Sequence, residues 1–595
     1  MGKTRLGSMI LASALFAWGC GPGGSTTGQA GSGGPAGSGS GGSGSGAAGT
    51  TGSAGTTGNA GTGAPGNAGT TGAAGTTGVS GSGGSSVGAA GVSGPGTAGS
   101  GATTGAAGTT GVAGGGATGG RGGAGGGGAA GRGGAAGTGT AGSGSAGTGS
   151  GGTGTGALTV QLAMTKQKID GFGINNTWAQ AMSDSDADAM FNTTNGMGFS
   201  ILRVGLGSDG QPMSSNIPGD ITKAKARNVK YLIGSCWSPP ANCKSNNNIN
   251  DGGHVLTSCY DSWSTTIANF AQTQGLYAMS IGNEPDFASC GRTEPCNGNY
   301  PTTLYTAKEM VAFVKVAGPK LKAKGIKVIT PEASEWIHNW SNVSASGSEP
   351  GNKGSSDPLK CGFAPSPIAT ACTNGDGYDY GHWLAKDAAA WAAFDIMGVH
   401  QYDTQVGEPW PADVTNERKP VWQTEMSGVK WWPEQGPNTT IENGIAVAGW
   451  IHSALTVGEA SAWLWWWWKA YDTDDNEGLY LKSGTDTKRH YTIMNYSRFV
   501  RPDYMRVDIT GAAPADVLLT AFKGTDGTVV IVAINKGAAA SVPITIGGGT
   551  APTMLTPWVT SSADNCASKT AVAVSGGSFT AMLGAKTVTT FVGKP

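Results

Sequence analysis

The chain has 595 residues, a formal net charge of −1 at pH 7 and only 13% charged residues. A charge balance so close to zero gives no electrostatic reason to expect binding to nucleic acid or to an anionic membrane surface. Length alone suggests roughly three or four domains, but a long N-terminal segment of small residues inflates that number.

The first residues are typical of an export signal. Lys3 and Arg5 precede an apolar run at 9–18 that is too short to cross a bilayer but suits the core of a signal peptide. Because this run leads directly to Cys20, residues 1–20 look like a bacterial lipoprotein signal in which Cys20 becomes the lipid-modified first residue. Simple secretion after signal cleavage is the alternative. Both interpretations predict an exported protein, either secreted or held at the cell surface or outer membrane by a lipid anchor.

Residues 21–156 consist almost wholly of Gly, Ala, Ser and Thr. Such a segment has too few large apolar side chains to offset the backbone entropy that is lost on ordering. A collagen triple helix is the competing idea, but glycine does not occupy every third position and proline is scarce. The sequence therefore predicts a disordered, low-complexity linker between the anchor and the folded part of the chain.

Eight of the nine cysteines remain when Cys20 is set aside. In an exported chain an even number favours disulfides, and the most plausible local pairs are Cys290 with Cys296 and Cys361 with Cys372. The sequence leaves the other pairings open. No spacing of cysteine or histidine resembles a zinc site, so we predict no metal and no cofactor.

After residue 157 the sequence alternates short apolar runs with helical stretches. Eight runs are strand candidates, at 169–174, 201–207, 229–237, 277–284, 326–333, 394–402, 420–425 and 460–468. Strand and helix that alternate in this way favour an α/β fold, the (β/α)8 TIM barrel, which we place at 157–502. An open doubly wound sheet is the alternative, but the glycines at 171–173 lack the rest of its phosphate-binding turn.

The pattern changes after residue 502. Short runs separated by turn residues, with no helical period, predict a C-terminal β-sandwich side domain at 503–595. The run at 157–164, which precedes the barrel, is expected to add a strand to this sandwich. A side domain of this kind can bind sugar, but we expect it mainly to support the barrel.

Two motifs carry the clearest chemical information. SIGNEP at 280–285 and VWQTE at 421–425 each place one glutamate at the end of an apolar, strand-like run. Cleavage of a glycosidic bond with retention of configuration requires at least two carboxyl groups, which a barrel can place at its strand ends. Glu284 and Glu425 are the candidates here. A glutamate in Asn-Glu-Pro can also simply begin a helix, but the matched second motif argues against that interpretation.

The other strand ends are rich in tryptophan and amide groups, which suit sugars. Pyranose C–H faces stack on aromatic planes, and hydroxyls need paired donors and acceptors. The four consecutive tryptophans at 465–468 alternate faces in a strand, so two should point into the barrel mouth and two into the outer packing. The candidates for substrate contact at these ends are Trp178, Arg203, Trp237, Asn283, His400, Tyr402 and Trp465.

Successive motifs along the chain resemble those of glycoside hydrolase family 30, and are most similar to its bacterial glucuronoxylan endoxylanases. In the barrel these are GFGINNTW at 171–178, GFSILRV at 198–204, WSPP at 237–240, SIGNEPD at 280–286 and HQYDTQV at 400–406. The likeness continues into the sandwich with YSRFVRP at 496–502, VIVAINK at 530–536 and WVTSS at 558–562. Several motifs in the same order over most of the folded part are specific, although none is so alone.

The resemblance implies a retaining mechanism in which Glu284 is the general acid/base and Glu425 the nucleophile. Their carboxyls are then expected about 5–5.5 Å apart. Arg203 and a hydrogen bond from Tyr402 would favour the charge on Glu425. Asn283 would bond the 2-hydroxyl of the sugar.

Trp465 or a neighbouring tryptophan would form the floor under the sugar at the cleavage point. Alternatives remain for several of these side chains. Arg203 can close a purely structural ion pair, His400 can be a satisfied barrel histidine, and Trp237 can pack a loop. Three further carboxylates near strand ends compete for the acid role, without a comparable motif: Asp286, Glu332 and Glu335.

The chain also departs from the family where that family reads side branches. In the glucuronoxylanase branch an arginine after the last barrel strand binds the glucuronate of the substrate, whereas Lys469 stands in the corresponding place here. Lysine cannot make the planar bidentate contact with a carboxylate. Tyr471 is a further candidate contact, and the segment 426–435 departs from the family pattern as well.

We therefore expect a monomeric endo-β-1,4-xylanase that acts on polysaccharide, with little or no need for glucuronate branches. The rivals are a hydrolase of another β-glycan, such as a β-1,6-galactan, a β-1,6-glucan or a glucosylceramide-like substrate, and a surface lectin that has lost the chemistry. Two intact glutamates argue against the lectin, which has no need of an ionised nucleophile.

Overall fold

The computed structural model describes residues 158–250, 252–287, 300–340, 379–402, 407–428, 439–470 and 477–595. The predicted signal at 1–20 with Cys20, the predicted linker at 21–156 and Tyr471 lie outside the described residues, as do Cys290, Cys296, Cys361 and Cys372. Within the described part of the chain, no helix combines the length and the apolar character that a membrane crossing requires.

A closed barrel of parallel strands forms the larger part of the structure. Its strands are β2 (Gly171–Asn175), β3 (Ile201–Leu206), β4 (Tyr231–Cys236), β5 (Ala278–Ser280), β6 (Lys327–Ala333), β7 (Ile396–His400), β8 (Val421–Glu425) and β9 (Ala462–Lys469). They pair in chain order, and β9 closes the ring by pairing with both β8 and β2. A short strand, β10 (Gly478–Tyr480), pairs with the C-terminal end of β9. The predicted TIM barrel is confirmed.

Helices lie between barrel strands, and one more follows the last of them. Those in the described residues are Asp184–Phe191, Ile217–Ala226, Tyr260–Gln274, Ala307–Ala323, Ile337–Trp340, Tyr380–Lys386, Ala388–Ala393, Ile441–Thr456 and Lys488–Ser497, with 3₁₀ turns at Ala241–Cys243 and Thr257–Cys259. The long helix Ala307–Ala323 shows why these segments are helical. Thr306 and Glu309 form a reciprocal capping box at its start, which satisfies two backbone N–H groups that the helix leaves unpaired.

The barrel strands read as continuous apolar runs because both of their faces are buried. Alternate side chains fill the interior as one compact cluster: Ile201, Tyr231, Ile233, Ala278, Ile329, Ile396, Trp422, Ala462 and Leu464. Their neighbours point outward and pack beneath the helices, among them Leu202, Leu232, Val328, Met397 and Trp463. The interior below the strand ends is therefore solid, and chemistry is confined to the mouth.

The C-terminal β-sandwich is also confirmed. Its strands are β1 (Leu158–Lys168), β11 (Met505–Thr510), β12 (Val517–Lys523), β13 (Val529–Asn535), β14 (Ala540–Gly547), β15 (Met554–Thr560), β16 (Ala567–Ser568), β17 (Val572–Ala573), β18 (Ser578–Leu583) and β19 (Thr587–Gly593). The strand that precedes the barrel, β1, pairs with β11 and β14. Phe579 and Phe591 lie on strands far apart in the hydrogen-bonded order, yet their ring centroids are 5.3 Å apart. The sheet therefore folds over onto one core.

Strand β13 shows how the sandwich supports the barrel. Val529, Ile531 and Ala533 belong to the sandwich core. Val530, Val532 and Ile534 lie on the other face of the strand and belong to the core of the barrel. Because successive side chains of a strand point to opposite faces, β13 is buried on both sides. This packing agrees with the supporting role that the sequence analysis favours.

The described cysteines form one disulfide, between Cys243 and Cys259, which the sequence analysis left open. It joins the two 3₁₀ turns that follow β4, and so ties down a segment on the mouth side of the barrel. Cys236 and Cys566 are buried free thiols.

Candidate active site

Glu284 and Glu425 face each other at the mouth of the barrel. Glu425 ends β8, and Glu284 lies four residues beyond the last residue of the short strand β5. One carboxyl oxygen from each of these two side chains and one ring nitrogen of His400 all lie within 4.8 Å of one another. This separation is shorter than the roughly 6.5–9.5 Å that an inverting hydrolase uses to admit a water between its carboxyls.

The backbone around Glu284 is held in an uncommon conformation. Glu284 has φ 46° and Glu332 has φ 64°, both in the left-handed region that side chains other than glycine rarely occupy. The amide N–H of Glu284 donates to the carbonyl oxygen of Glu332 at 3.0 Å, so the two segments fix each other. Such conformations concentrate at active sites, where the surrounding structure maintains them. The predicted strand 277–284 is therefore too long, because the chain leaves β5 after Ser280 to form this turn.

Glu425 is surrounded by groups that favour its ionised form. Arg203 Nη1 donates to Glu425 Oε2 at 2.7 Å, and Tyr402 Oη donates to Glu425 Oε1 at 3.1 Å. The guanidinium is completely buried and lies beside the Trp237 ring, 4.9 Å from its centroid. Burial is the largest effect and raises the pKa of Glu425 to about 7, although the charge of Arg203 and these two hydrogen bonds act in the opposite direction.

Among the described residues Glu284 accepts no hydrogen bond from Arg203 or Tyr402, and it is the more readily protonated carboxyl. Burial, followed by the negative charge of Glu425, raises the pKa of Glu284 well above its ordinary value. Its carboxyl oxygen Oε1 lies 3.0 Å from His400 Nδ1. The two carboxyls therefore differ in the way that an acid and a nucleophile must differ.

His400 lies between the two carboxyls rather than in ordinary core packing. Its Nδ1 is 3.0 Å from Glu284 and 3.8 Å from Glu425, and its Nε2 has no hydrogen-bond partner in the described residues. Burial, aided by the charge of Arg203, lowers the pKa of His400 well below its ordinary value. The ring is therefore neutral at physiological pH.

Arg203 also orients Asn283. Its Nη2 donates to Asn283 Oδ1 at 2.6 Å, which leaves the NH₂ group as the donor end of this amide. Arg203 therefore contacts a candidate nucleophile and a candidate sugar-binding group at once. The purely structural ion pair considered for Arg203 does not account for this position.

Aromatic rings form a wall next to the carboxyls. The Trp178 ring centroid lies 5.4 Å from that of Trp237, 6.0 Å from that of Tyr300 and 6.2 Å from that of Trp466. Trp237 and Trp466 are also 6.2 Å apart. Trp237 contacts both Arg203 and this wall, so its role is not limited to packing a loop.

The position predicted for Trp465 needs correction. Trp465 packs against Trp463 and the Arg489 guanidinium, and its Nε1 donates to the Glu477 carbonyl, so its ring lies in the outer packing. The pairing of β2 with β9 skips Trp466, because Ile174 pairs with Trp465 and Asn175 with Trp467. Ala462 and Leu464 of the same strand fill the barrel interior, so alternation places Trp466 on the inner face, where its ring meets those of Trp178 and Trp237. Trp466 is therefore the better candidate for a sugar-stacking surface.

Lys469 lies at the end of β9, half-buried, with its ammonium 5.9 Å from the centroid of the Trp468 ring. It has no contact with the carboxyl pair. Tyr471 is outside the described residues, so its predicted contact with substrate stays a prediction.

Two residues of the site were not identified as such from the sequence. Glu332, treated there only as a competing carboxylate, accepts a hydrogen bond from Arg203 Nη2 at 3.1 Å. Ser427 lies 3.4 Å from the Tyr402 hydroxyl. The one signal in the sequence is their position, since each lies near the end of a barrel strand or just after it.

Glu284, His400 and Glu425 are the described residues whose side-chain donor atoms are grouped closely enough to hold a metal ion. Two carboxylates and one imidazole are suitable donors for a divalent cation. However, the Arg203 guanidinium already supplies a positive charge at Glu425, and the same three groups are those that acid and nucleophile chemistry needs.

Comparison with known proteins adds the evolutionary relationship. Residues 505–591 match the family model described as the glycosyl hydrolase family 30 beta sandwich domain. The chain is similar to glucuronoxylanase XynC of Bacillus subtilis (strain 168), with 28% identity over 451 residues, which is 73% of this chain and 91% of that protein.

Solved structures show the same relationship. The chain is similar to the glycoside hydrolase family 30 subfamily 8 xylanase Xyn30A from Clostridium acetobutylicum, with 26% identity, a TM-score of 0.58, and coverage of 74% of this chain and all of that one. The endo-β-1,6-glucanase BT3312 shares the fold at 17% identity and a TM-score of 0.52, over 75% of this chain and 96% of that one.

Proposed function

We propose that this chain is a member of glycoside hydrolase family 30 and an endo-β-1,4-xylanase that cleaves the xylan main chain with retention of anomeric configuration. The observation that carries the proposal is the buried pair of Glu284 and Glu425, with carboxyl oxygens within 4.8 Å of each other. The relative named glucuronoxylanase and the xylanase structure support xylan as the substrate.

In the first step Glu425 attacks the anomeric carbon of the sugar at the cleavage point. The bond from that carbon to the leaving oxygen breaks, and Glu284 gives its proton to that oxygen. Burial and the charge of Glu425 keep Glu284 protonated for this transfer. Arg203 and Tyr402 hold Glu425 in place and ionised until it forms the glycosyl ester.

In the second step water replaces Glu425 at the anomeric carbon. Formation of the ester removes the negative charge of Glu425, which is one cause of the raised pKa of Glu284. The pKa of Glu284 therefore falls in the intermediate, and the carboxylate accepts a proton from the attacking water. Two displacements at one carbon give the β-configured product.

The test of this function is a panel of glycans. Purified enzyme is incubated with glucuronoxylan, arabinoxylan, β-1,6-galactan and β-1,6-glucan, and the products are sized. The proposal expects a ladder of xylo-oligosaccharides from both xylans at early times. Release of gluco-oligosaccharides alone would favour the second candidate, a β-1,6-glucanase, which the shared fold with BT3312 supports. Binding without cleavage would favour the lectin.

The place of Lys469 leads to a prediction on branch recognition. Replacing Lys469 by Arg is expected to raise the ratio of kcat/KM on glucuronate-bearing xylan to that on undecorated xylan by roughly tenfold, because Arg can bind a carboxylate with two parallel hydrogen bonds. The matched control is Lys482→Arg, the same change at an exposed position, which should leave the ratio unaltered. An unaltered ratio for Lys469→Arg would contradict this explanation of specificity.

We also propose that the protein is exported and anchored at the cell surface through lipid on Cys20, which the signal-like residues 1–20 support. A Cys20→Ser variant is expected to lose incorporation of labelled fatty acid and to leave the membrane fraction. Unchanged labelling in this variant would exclude Cys20 as the modified residue.

A further inference from the structure

Glu332 is a buried carboxylate at the barrel mouth that the proposed reaction does not use. It lies near the end of β6 and is completely buried. Its Oε2 accepts hydrogen bonds from Arg203 Nη2 at 3.1 Å and from the Ser235 hydroxyl at 2.5 Å. Its Oε1 has no hydrogen-bond partner among the residues that the structure describes.

This arrangement is unfavourable for stability alone. A buried carboxylate loses its hydration, and an oxygen without a partner recovers none of that loss. The backbone of Glu332 is also held at positive φ, which costs further free energy for a residue with a side chain. A buried ion pair is weak evidence for stability, so a role at the site is the better explanation.

The guanidinium of Arg203 lies between two carboxylates. Nη1 contacts Glu425 at 2.7 Å and Nη2 contacts Glu332 at 3.1 Å. The two carboxylates therefore share the single positive charge of Arg203, and only its Nη1 group contacts Glu425. Three strands are joined in this way, since Arg203 lies on β3, Glu332 on β6 and Glu425 on β8.

We propose that Glu332 is a positioning residue which holds Arg203 against Glu425 and limits the positive charge that Arg203 presents to it. The inference rests on the proposed function, because it concerns the same carboxyl pair. Without Glu332, a full positive charge would face Glu425 and make it a weaker nucleophile and a better leaving group. With Glu332, the site keeps one net negative charge when Glu284 is protonated.

The charge of Glu332 acts on both catalytic carboxyls. Its negative charge is among the causes that raise the pKa of Glu284 and that of Glu425. The other ionisable groups that face this cluster come from the surrounding strand ends: Arg203, Cys236, Asp286, His400 and Tyr402. Of these, Arg203 contacts both Glu332 and Glu425.

The test is the pH profile of kcat/KM for Glu332→Gln in the full-length enzyme. Activity requires Glu425 ionised, which sets the rising limb, and Glu284 protonated, which sets the falling limb. Removing a neighbouring negative charge makes each carboxyl easier to ionise, so both pKa values fall. Both limbs are therefore expected to move to lower pH by about one unit or more.

Three variants separate positioning from general damage. Glu332→Asp keeps the charge and should keep both limbs near their wild-type positions while kcat falls. Arg203→Gln removes the positive charge that lowers the pKa of Glu425, so the rising limb should move the opposite way, to higher pH. Glu335→Gln removes another buried carboxyl only three residues away that does not contact Arg203, and should leave both limbs in place.

The inference would be overturned if both limbs in Glu332→Gln coincided with those of wild type. If Glu332→Gln fails to fold, an unmoved rising limb in Arg203→Gln would overturn it. A substrate-free readout keeps this separate from the proposed function. The enzyme is labelled with ¹³C at its glutamate carboxyls, and the resonance of Glu425 is identified as the one that is missing from the spectrum of Glu425→Gln. In Glu332→Gln this resonance should titrate at lower pH than in wild type. That shift supports the inference even if xylan is not the substrate, whereas its absence contradicts it.

Discussion

Replacing Glu425 by Gln is expected to reduce kcat on xylan by about 10⁴-fold or more, the scale on which loss of a catalytic nucleophile acts. The amide keeps the shape of the side chain but cannot form the glycosyl ester. It also removes the negative charge that pairs with Arg203 at 2.7 Å. Activity on xylan measured by release of reducing ends, with thermal unfolding to verify the fold, gives the comparison.

The smaller variant Glu425→Ala shows whether the loss is chemical. Azide can enter the space left by the carboxylate and attack the anomeric carbon from the same side. A retaining mechanism with Glu425 as nucleophile therefore predicts recovery of activity on an aryl β-xylobioside and formation of the α-xylobiosyl azide. A Glu425→Gln enzyme that hydrolysed xylan as fast as wild type would exclude this role.

Replacing Glu284 by Ala is expected to reduce kcat/KM on xylan by roughly 10²–10⁴-fold, the usual contribution of a general acid. The loss should depend on the leaving group, because a dinitrophenolate departs without a proton. With a dinitrophenyl xylobioside, the first step should remain close to wild type in rate and the second should become slow. A burst of dinitrophenol followed by a slow phase is the measurement that reports this.

Azide distinguishes the two carboxyls. In Glu284→Ala the glycosyl ester on Glu425 still forms, and azide then attacks it from the side that Glu284 occupied. The expected product is the β-xylobiosyl azide, opposite in configuration to that from Glu425→Ala. Equal losses on xylan and on the dinitrophenyl substrate would contradict the acid role of Glu284.

The barrel was predictable from the sequence because its pattern is repeated and local. Strands β2 to β9 are buried on both faces and therefore read as apolar runs, and Glu425 stands at the end of such a run. Strand limits were less predictable. The apolar stretch at 277–284 continues past Ser280, where a turn at positive φ takes over, and a hydrophobic pattern does not record that change.

The roles of Trp465 and Glu332 depend on features that no local pattern contains. Four consecutive tryptophans alternate faces, but their sequence alone does not show which of them face inward. That is decided by Ala462 and Leu464, which fill the barrel interior and so place Trp466, not Trp465, on the inner face. Glu332 is functional in our account because Arg203, Ser235 and Glu332 converge from three different strands. Nothing in the residues next to Glu332 indicates which guanidinium it meets.

The most direct test of the carboxyl pair is mass spectrometry of the enzyme after treatment with dinitrophenyl 2-deoxy-2-fluoro-β-xylobioside. The fluorine slows both steps, while the good leaving group lets the first proceed, so the glycosyl ester accumulates. We expect one fluoroxylobiosyl group per chain, attached to the peptide that contains Glu425. Attachment to any other residue, or turnover to an α-configured product with no ester formed, would contradict the account.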